Sequence, residues 1–194
     1  MKRLPCLAAI TVGAAASNAH ADITAYTNFE AWRNASESIT TLTFTEHPHG
    51  THLTDQYSEF GIMFPEDDNH HVIEAEQFDD GHGLQGHDGS ITFRFDEPQA
   101  WVGYTHFGLS GIELYHGSEL VYANNDLGTS GGPGFSGVVS TDQTFDRVVL
   151  YRPDDSFPVM WAGEIHYGIP APGAIAALAL AGLFGGSRRR RPAA

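Results

Sequence analysis

Apolar residues in the middle of this chain recur at every second position, and this period limits the possible folds more than any other feature of the sequence. The stretches 42–44, 91–95 and 112–115 each alternate apolar with polar residues. Successive side chains of a β-strand point to opposite faces of a sheet, whereas a helix repeats every three to four residues. The period therefore predicts half-buried strands, each with one face on a core.

Further segments extend the predicted set of strands. Residues 61–64 are short and apolar, and residues 101–107 carry aromatic or β-branched side chains on both faces, as an interior strand does. Two more strands are predicted over 145–151 and 160–167, with a Pro- and Asp-containing break between them. Residues 116–119 supply the turn of a hairpin.

One short helix is predicted at the start of the domain. Thr27 and Glu30 have the spacing of a capping box, and Phe29 and Trp32 fall on one face of residues 28–35. Seven or eight short antiparallel strands with almost no helix predict an all-β fold, an antiparallel β-sandwich of jelly-roll type. A closed barrel is the alternative architecture.

The N-terminus has the pattern of a secretory signal peptide. A basic start precedes a short apolar stretch, and Ala19 and Ala21 are the small residues that signal peptidase reads. Cleavage after Ala21 is predicted, so residues 1–21 form the signal and Cys6 leaves with it. The mature chain then has no thiol for a disulfide, a nucleophile or metal binding.

The C-terminus combines prolines, an apolar run and a basic end. The run 174–184 is shorter than the roughly 20 residues that a membrane-crossing helix needs, and arginines after such a run hold it with the basic end in the cytoplasm. Residues 169–194 are therefore interpreted as a hydrophobic sorting helix and its flanks, separate from the domain at 22–168. The sorting motif consists of Pro170, Ala171, Pro172, Gly173, Arg188, Arg189, Arg190 and Arg191.

This tail resembles the PEP-CTERM sorting signal of exported bacterial proteins, with Pro-Ala-Pro at 170–172 where Pro-Glu-Pro is usual. The resemblance implies transient anchoring in the inner membrane, recognition by an exosortase and delivery to the cell surface or the extracellular space. The spacing of aromatic residues over 57–64 and 91–95 is also similar to that of the jelly-roll domains that PEP-CTERM proteins often carry. Signal peptidase and an exosortase are the partners implied.

The charge of the predicted domain argues against nucleic acid and anionic membranes as partners. All 24 acidic residues lie between Asp22 and Glu164, against four arginines and no lysine, so this segment has a formal charge of −20. Nucleic acid and anionic membrane surfaces repel such a chain. Divalent cations and neutral polar ligands, including exopolysaccharide or another glycan, are the plausible partners.

Histidines and carboxylates cluster in three segments, 46–52, 66–71 and 78–89. Imidazole with carboxylate suits transition metals, whereas carboxylates with carbonyls suit calcium. The spacings match neither His-Glu-x-x-His nor a twelve-residue calcium loop, so no cofactor is certain and solvated loops are the simpler interpretation. The glycine-rich segment 78–89 is the first choice for a functional loop, and calcium is its candidate cofactor. Its candidate metal ligands are Asp79, Asp80, His82, His87 and Asp88.

Other polar segments carry less specific signals. Residues 124–128 and 131–134, with Tyr122 nearby, are able to hydrogen-bond and stack on a sugar, but ordinary turn chemistry explains them as well. No serine lies in a Gly-x-Ser-x-Gly motif, and paired carboxylates are abundant because acidic residues are abundant. The three tryptophans fall within the predicted helix and strands and are assigned to the core.

These features favour an exported surface or extracellular-matrix protein without catalytic activity. The alternative is a divalent-cation or glycan-binding module that uses the loops 46–52, 66–71 and 78–89. A metal-dependent hydrolase built on the histidines is the second alternative.

Overall fold

The computed structural model describes residues 22–66, 68–128, 132–154 and 159–168. Over these residues the chain forms one α-helix and twelve strands, with a single 3-10 turn at Ser58–Phe60. In chain order the elements are β1 (Ile23–Tyr26), α1 (Phe29–Ala35), β2 (Thr40–Leu42), β3 (Ile62–Met63), β4 (His70–Glu74), β5 (His82–Gly86), β6 (Ser90–Gln99), β7 (Trp101–Phe107), β8 (Gly111–His116), β9 (Glu119–Asn124), β10 (Pro133–Ser140), β11 (Phe145–Tyr151) and β12 (Met160–Gly168).

Two antiparallel sheets contain all of these strands. The larger sheet has the order β1-β10-β7-β12-β5-β4, with β2 also paired to β12. The smaller sheet has the order β3-β6-β11-β8-β9. Because the two sheets remain separate, the fold is the predicted all-β sandwich of jelly-roll type and not the closed alternative.

The core lies between the inner faces of the two sheets. Phe93 on β6 and Leu150 on β11 come from the smaller sheet, and Tyr104 on β7 and Ile165 on β12 come from the larger one; all four are fully buried. Alternation within each strand places their neighbours on the outer faces. As the sequence period of two predicts, every second side chain of these strands lies in the core.

A second apolar cluster lies under α1, on the outer face of the larger sheet. Trp32 is fully buried against Phe135, and its indole N–H donates to the carbonyl of Val138 at 3.1 Å. A methyl group on Gly137 would lie only 2.6 Å from the Trp32 ring, so the absence of a side chain there lets the helix approach the sheet. The assignment of Trp32 to a core is confirmed.

The helix is confirmed, but its predicted cap is wrong. The N-cap is Asn28, whose side-chain oxygen accepts a hydrogen bond from the backbone N–H of Ala31 at 2.9 Å. Asn28 has the extended backbone that a capping residue requires, and the helix begins one residue later than a Thr27 cap would place it.

The predicted strands at 91–95 and 112–115 are correct, the one at 42–44 is shifted because β2 ends at Leu42, and the predicted set is incomplete elsewhere. The strand at 101–107 has the predicted bounds, as does the strand at 145–151. The prediction of seven or eight strands is too low, because twelve form over the described residues. Of the segments predicted as loops, 66–71 contains the start of β4, and the two glycine-rich segments 78–89 and 131–134 contain β5 and the start of β10. Glycine removes the apolar alternation from both segments, and their pairing to neighbouring strands compensates.

The predicted signal peptide at 1–21 and the predicted tail at 169–194 lie outside the described residues. The domain at 22–168 is described with three short gaps. Across the part of the chain that the structure describes, no helix has the length and apolar character needed to cross a membrane.

Candidate functional site

A cleft of about 270 Å³ opens on the outer face of the larger sheet, beside the helix-covered cluster. Thr105 on β7 lies opposite Phe135 on β10 in the strand register, and Glu164 comes from the neighbouring β12. The turn before β5 closes the other side. The lining residues are Gln77, Phe78, Asp79, Asp80, Thr105, Pro133, Gly134, Phe135 and Glu164.

Two phenylalanines form the apolar walls of this cleft. The ring of Phe78 covers two glycines, since a methyl group would lie 2.5 Å from it on Gly83 and 2.7 Å from it on Gly163. The ring of Phe135 covers Gly103 in the same way, at 2.6 Å. Glycines in three adjacent strands therefore let both rings lie close to the sheet, and the cleft remains between them.

Three carboxylates give the cleft its charge. Glu164 lies where the register of β12 against β7 shifts between Ala162 and Ile165, so it is displaced from the regular alternation. Burial raises the pKa of Glu164, and the negative charges of Asp80 and Asp79 raise it further. The carboxylates of Glu164, Asp79 and Asp80 therefore repel one another. A hydrogen-bond donor or a cation bound between them would reduce this repulsion.

Asp80 is fixed by its own turn. One carboxylate oxygen accepts from the backbone N–H of His82 at 3.0 Å, and the His82 Nδ1–H donates to the Asp80 carbonyl at 3.1 Å. The other carboxylate oxygen, Oδ2, is buried and has no hydrogen-bond partner in the described part of the chain. An unsatisfied buried acceptor is costly, so a donor from a ligand would be favourable at this atom.

His166 lies behind Glu164 and is almost completely buried. Its Nδ1 is 3.0 Å from the hydroxyl of Thr41, and its Nε2 is 3.4 Å from Oε2 of Glu164. Burial lowers the pKa of His166 to about 4. The ring is therefore neutral at pH 7, and its contact with Glu164 is not an ion pair.

The structure divides the five predicted metal ligands between the two ends of β5. Asp79 and Asp80 line the cleft, and His82 contacts Asp80. His87 and Asp88 follow the far end of the strand, where the His87 ring lies 5.2 Å from that of His71. Across the described residues, no group of three His, Cys, Asp or Glu side chains has a geometry that could hold a metal ion. Calcium remains a prediction.

One histidine from each of the three predicted segments lies in a common group. His52, His71 and His87 form a row beside the edge strand β4, with ring centroids 5.3 Å and 5.2 Å apart. Burial lowers the pKa of His71, and the neighbouring His87 and His52 lower it further. His70, the next residue, is instead buried, and its Nε2 accepts from the backbone N–H of Thr92 at 3.0 Å. The segments 46–52 and 66–71 and the end of 78–89 therefore meet along β4, away from the cleft.

A serine–histidine pair that the sequence did not indicate lies inside the sandwich. The Ser136 hydroxyl donates to the carbonyl of Leu127, so Nε2–H of His106 donates to Ser136 at 2.9 Å. Ser136 is fully buried and His106 almost so, and burial lowers the pKa of His106 to about 4. The pair joins β7, β10 and a loop within the core. In the sequence, only an alternating pattern over β10 could have placed Ser136 on the inner face, and the glycines of this strand hide that pattern.

No protein-family model and no curated protein matches this sequence. Among solved structures, the chain is similar to a crystal structure of an exo-β-1,3-galactanase from Phanerochaete chrysosporium with galactose, at 13% identity and a TM-score of 0.35. The similarity covers 68% of this chain and 29% of the galactanase chain.

Proposed function

We propose that this protein is an exported cell-surface or extracellular-matrix component without catalytic activity. One observation carries the proposal, namely that a secretory signal pattern at 1–21 and a sorting pattern at 169–194 flank a single sandwich domain. Signal peptidase removes the first segment. The tail holds the chain in the inner membrane with Arg188 to Arg191 inside, until an exosortase releases the domain outward.

The non-catalytic role is supported by how the domain uses its chemically capable groups. The Ser136–His106 pair is enclosed in the core, where the serine hydroxyl already donates to a backbone carbonyl. His70 is likewise buried and accepts a backbone N–H. All three side chains are therefore buried and closed to a substrate.

The maturation step is tested by fractionating cells that express the full chain and measuring the intact mass of the surface material. We expect a chain that begins at Asp22 and lacks Arg188 to Arg191. A variant in which these four arginines are replaced by glutamine has an unaltered signal sequence at 1–21. It should still be exported, but it should not reach the surface with its tail removed. Cytosolic protein with both ends intact, or surface protein that keeps Arg191, would contradict the proposal.

A second candidate function, glycan binding, is favoured by the cleft between Phe78 and Phe135. Carboxylates accept hydrogen bonds from sugar hydroxyl groups, and Asp80 has a buried oxygen without a described partner. Thr105 and Gln77 add groups that both donate and accept, and the phenylalanine walls suit the apolar faces of a sugar ring. A neutral glycan satisfies these groups without adding to the negative charge.

This second function is tested by calorimetry of the full chain with a panel of neutral oligosaccharides, with and without calcium. We expect binding that falls at least tenfold in Glu164→Gln and Asp80→Asn. Glu59→Gln removes an exposed carboxylate elsewhere and should bind as the parent does. If no neutral oligosaccharide binds, or if all three variants bind equally, the cleft is not a glycan site. If binding occurs only with calcium, the divalent-cation alternative holds.

A further inference from the structure

The four arginines of the domain fall into two kinds. Arg33 pairs with Glu30 at 3.5 Å, and Arg152 pairs with Asp154. For Arg94 and Arg147, no carboxylate among the described residues lies within ion-pair distance. The segment has 24 acidic residues and four arginines, yet two of the arginines have no described acidic partner.

These two arginines are neighbours. Arg147 on β11 lies directly opposite Arg94 on β6 in the antiparallel register. Arg94 stands between the buried Phe93 and Phe95, so it points away from the core on the outer face of the smaller sheet, and it is exposed. Like charges directly opposite each other in a sheet are destabilising. An anion placed between them would remove this cost.

Arg147 is held in position by the next strand. Its guanidinium lies 3.9 Å from the ring centroid of Tyr115 on β8, a cation–π contact. The Tyr115 hydroxyl donates to Glu113, so this carboxylate has a partner other than the arginine. The Nε of Arg147 is buried and has no hydrogen-bond partner in the part of the chain that is described. The fork of Arg147 is thus fixed and has unused donors.

Two adjoining clefts meet at Arg94. One, of about 480 Å³, is lined by both arginines, and the other, of about 380 Å³, shares Met63 and Arg94 with it. Asp96 and Asp146 also line the larger cleft, and both oxygens of Asp146 accept from the backbone N–H of Gly117. The lining therefore offers both cationic donors and carboxylate acceptors.

We propose that Arg94 and Arg147 bind the carboxylate of a uronate residue in an acidic glycan. A guanidinium binds a planar carboxylate through two parallel hydrogen bonds, and sugar hydroxyl groups donate to Asp96 and Asp146. Inorganic phosphate or sulfate supplies the anion but lacks this set of hydroxyl donors, and a neutral sugar supplies the donors but not the anion. The negative charge of the whole chain repels anions at long range, so selectivity depends on this local pair.

The site is tested by calorimetry of the full chain with a trigalacturonate, with galactotriose as the neutral counterpart and with inorganic phosphate. We expect the trigalacturonate to bind at least tenfold more tightly than either. Arg94→Gln and Arg147→Gln should each weaken it at least tenfold, and Arg94→Lys should recover only part of the loss because lysine lacks the planar fork. Arg33→Gln removes an exposed charge on α1 and should bind as the parent does.

Several outcomes would overturn the proposal. Equal binding of galactotriose means that the carboxylate is not recognised, and equal binding of phosphate means that the site takes simple anions. If Arg33→Gln weakens trigalacturonate binding as much as Arg94→Gln does, the net charge of the protein and not the arginine pair determines the affinity. Loss in Glu164→Gln with retention in Arg94→Gln places the ligand in the cleft of the larger sheet instead. Thermal unfolding of each variant identifies a loss of fold, and because Arg94 is exposed, Arg94→Gln remains informative if Arg147→Gln does not fold.

Discussion

Buried histidines are the residues on which acid has the largest expected effect. His70, His106 and His166 are each 1–2% exposed, and burial lowers the pKa of each to about 4. Asp68 opposes this effect at His70, and the charges of His52 and His71 add to it. The folded chain therefore keeps all three rings neutral at pH values where an exposed histidine is protonated.

The sign of the pH dependence follows from linkage. An unfolded histidine titrates near pH 6.5, so between about pH 6.5 and pH 4 the unfolded chain takes up protons that the folded chain does not bind. The free energy of unfolding therefore falls as the pH drops through this window and is insensitive to these groups above it. His166→Gln should reduce the loss of stability between pH 7 and pH 5 by about 1–2 kcal/mol.

Urea unfolding at pH 7, 6 and 5 measures this difference. His116→Gln, at an exposed position on β8, is the control for the loss of one histidine. Comparing the variants at each pH removes the shared contribution of the carboxylates. If His166→Gln and the parent lose the same stability on acidification, the ring is already protonated in the folded chain.

At the scale of single elements, the sequence predicts a strand correctly where the pattern of buried apolar residues alone defines its bounds. The bounds of β7 and β11 are correct because their apolar residues are continuous or strictly alternating. The strand β5 was missed because His-Gly-Leu-Gln-Gly has one apolar side chain, and its pairing to β4 and β12 supplies the rest. Asp79 and Asp80, which the sequence offers as metal ligands, line the cleft, but Glu164 and Phe135 come from distant strands that only the sheet order brings beside them.

The helix α1 allows a test of its cap. Asn28 accepts from the Ala31 N–H and satisfies a donor at the helix start, whereas Thr27 lies one residue earlier. Asn28→Ala should therefore destabilise the fold by about 1 kcal/mol, and Thr27→Ala should change stability by less than about 0.5 kcal/mol. Urea unfolding of the two variants at pH 7 measures both values. If Thr27→Ala destabilises the fold more than Asn28→Ala does, the N-cap is Thr27, as the sequence pattern predicts.

At the scale of the whole molecule, the two proposed sites lie on opposite outer faces. The acidic cleft is on the larger sheet, and the arginine pair is on the smaller sheet, with the shared core between them. Neutral and acidic sugar chains could then be bound by one module at the same time. Such an arrangement gives a matrix component a means of joining two glycan chains, and it rests on both binding proposals.

The charge of −20 on residues 22–168 acts on the folded state as a whole. Self-repulsion destabilises a compact chain, and salt screens it with a Debye length of about 10 Å at 0.1 M. Raising sodium chloride from 10 mM to 300 mM should therefore increase the melting temperature by several degrees. Calcium chloride at the same ionic strength separates screening from binding, because screening alone gives the same rise as sodium chloride. A further rise with calcium that Asp80→Asn abolishes and Glu59→Gln retains would instead establish a calcium site in the cleft, because a bound ion stabilises the folded state by mass action.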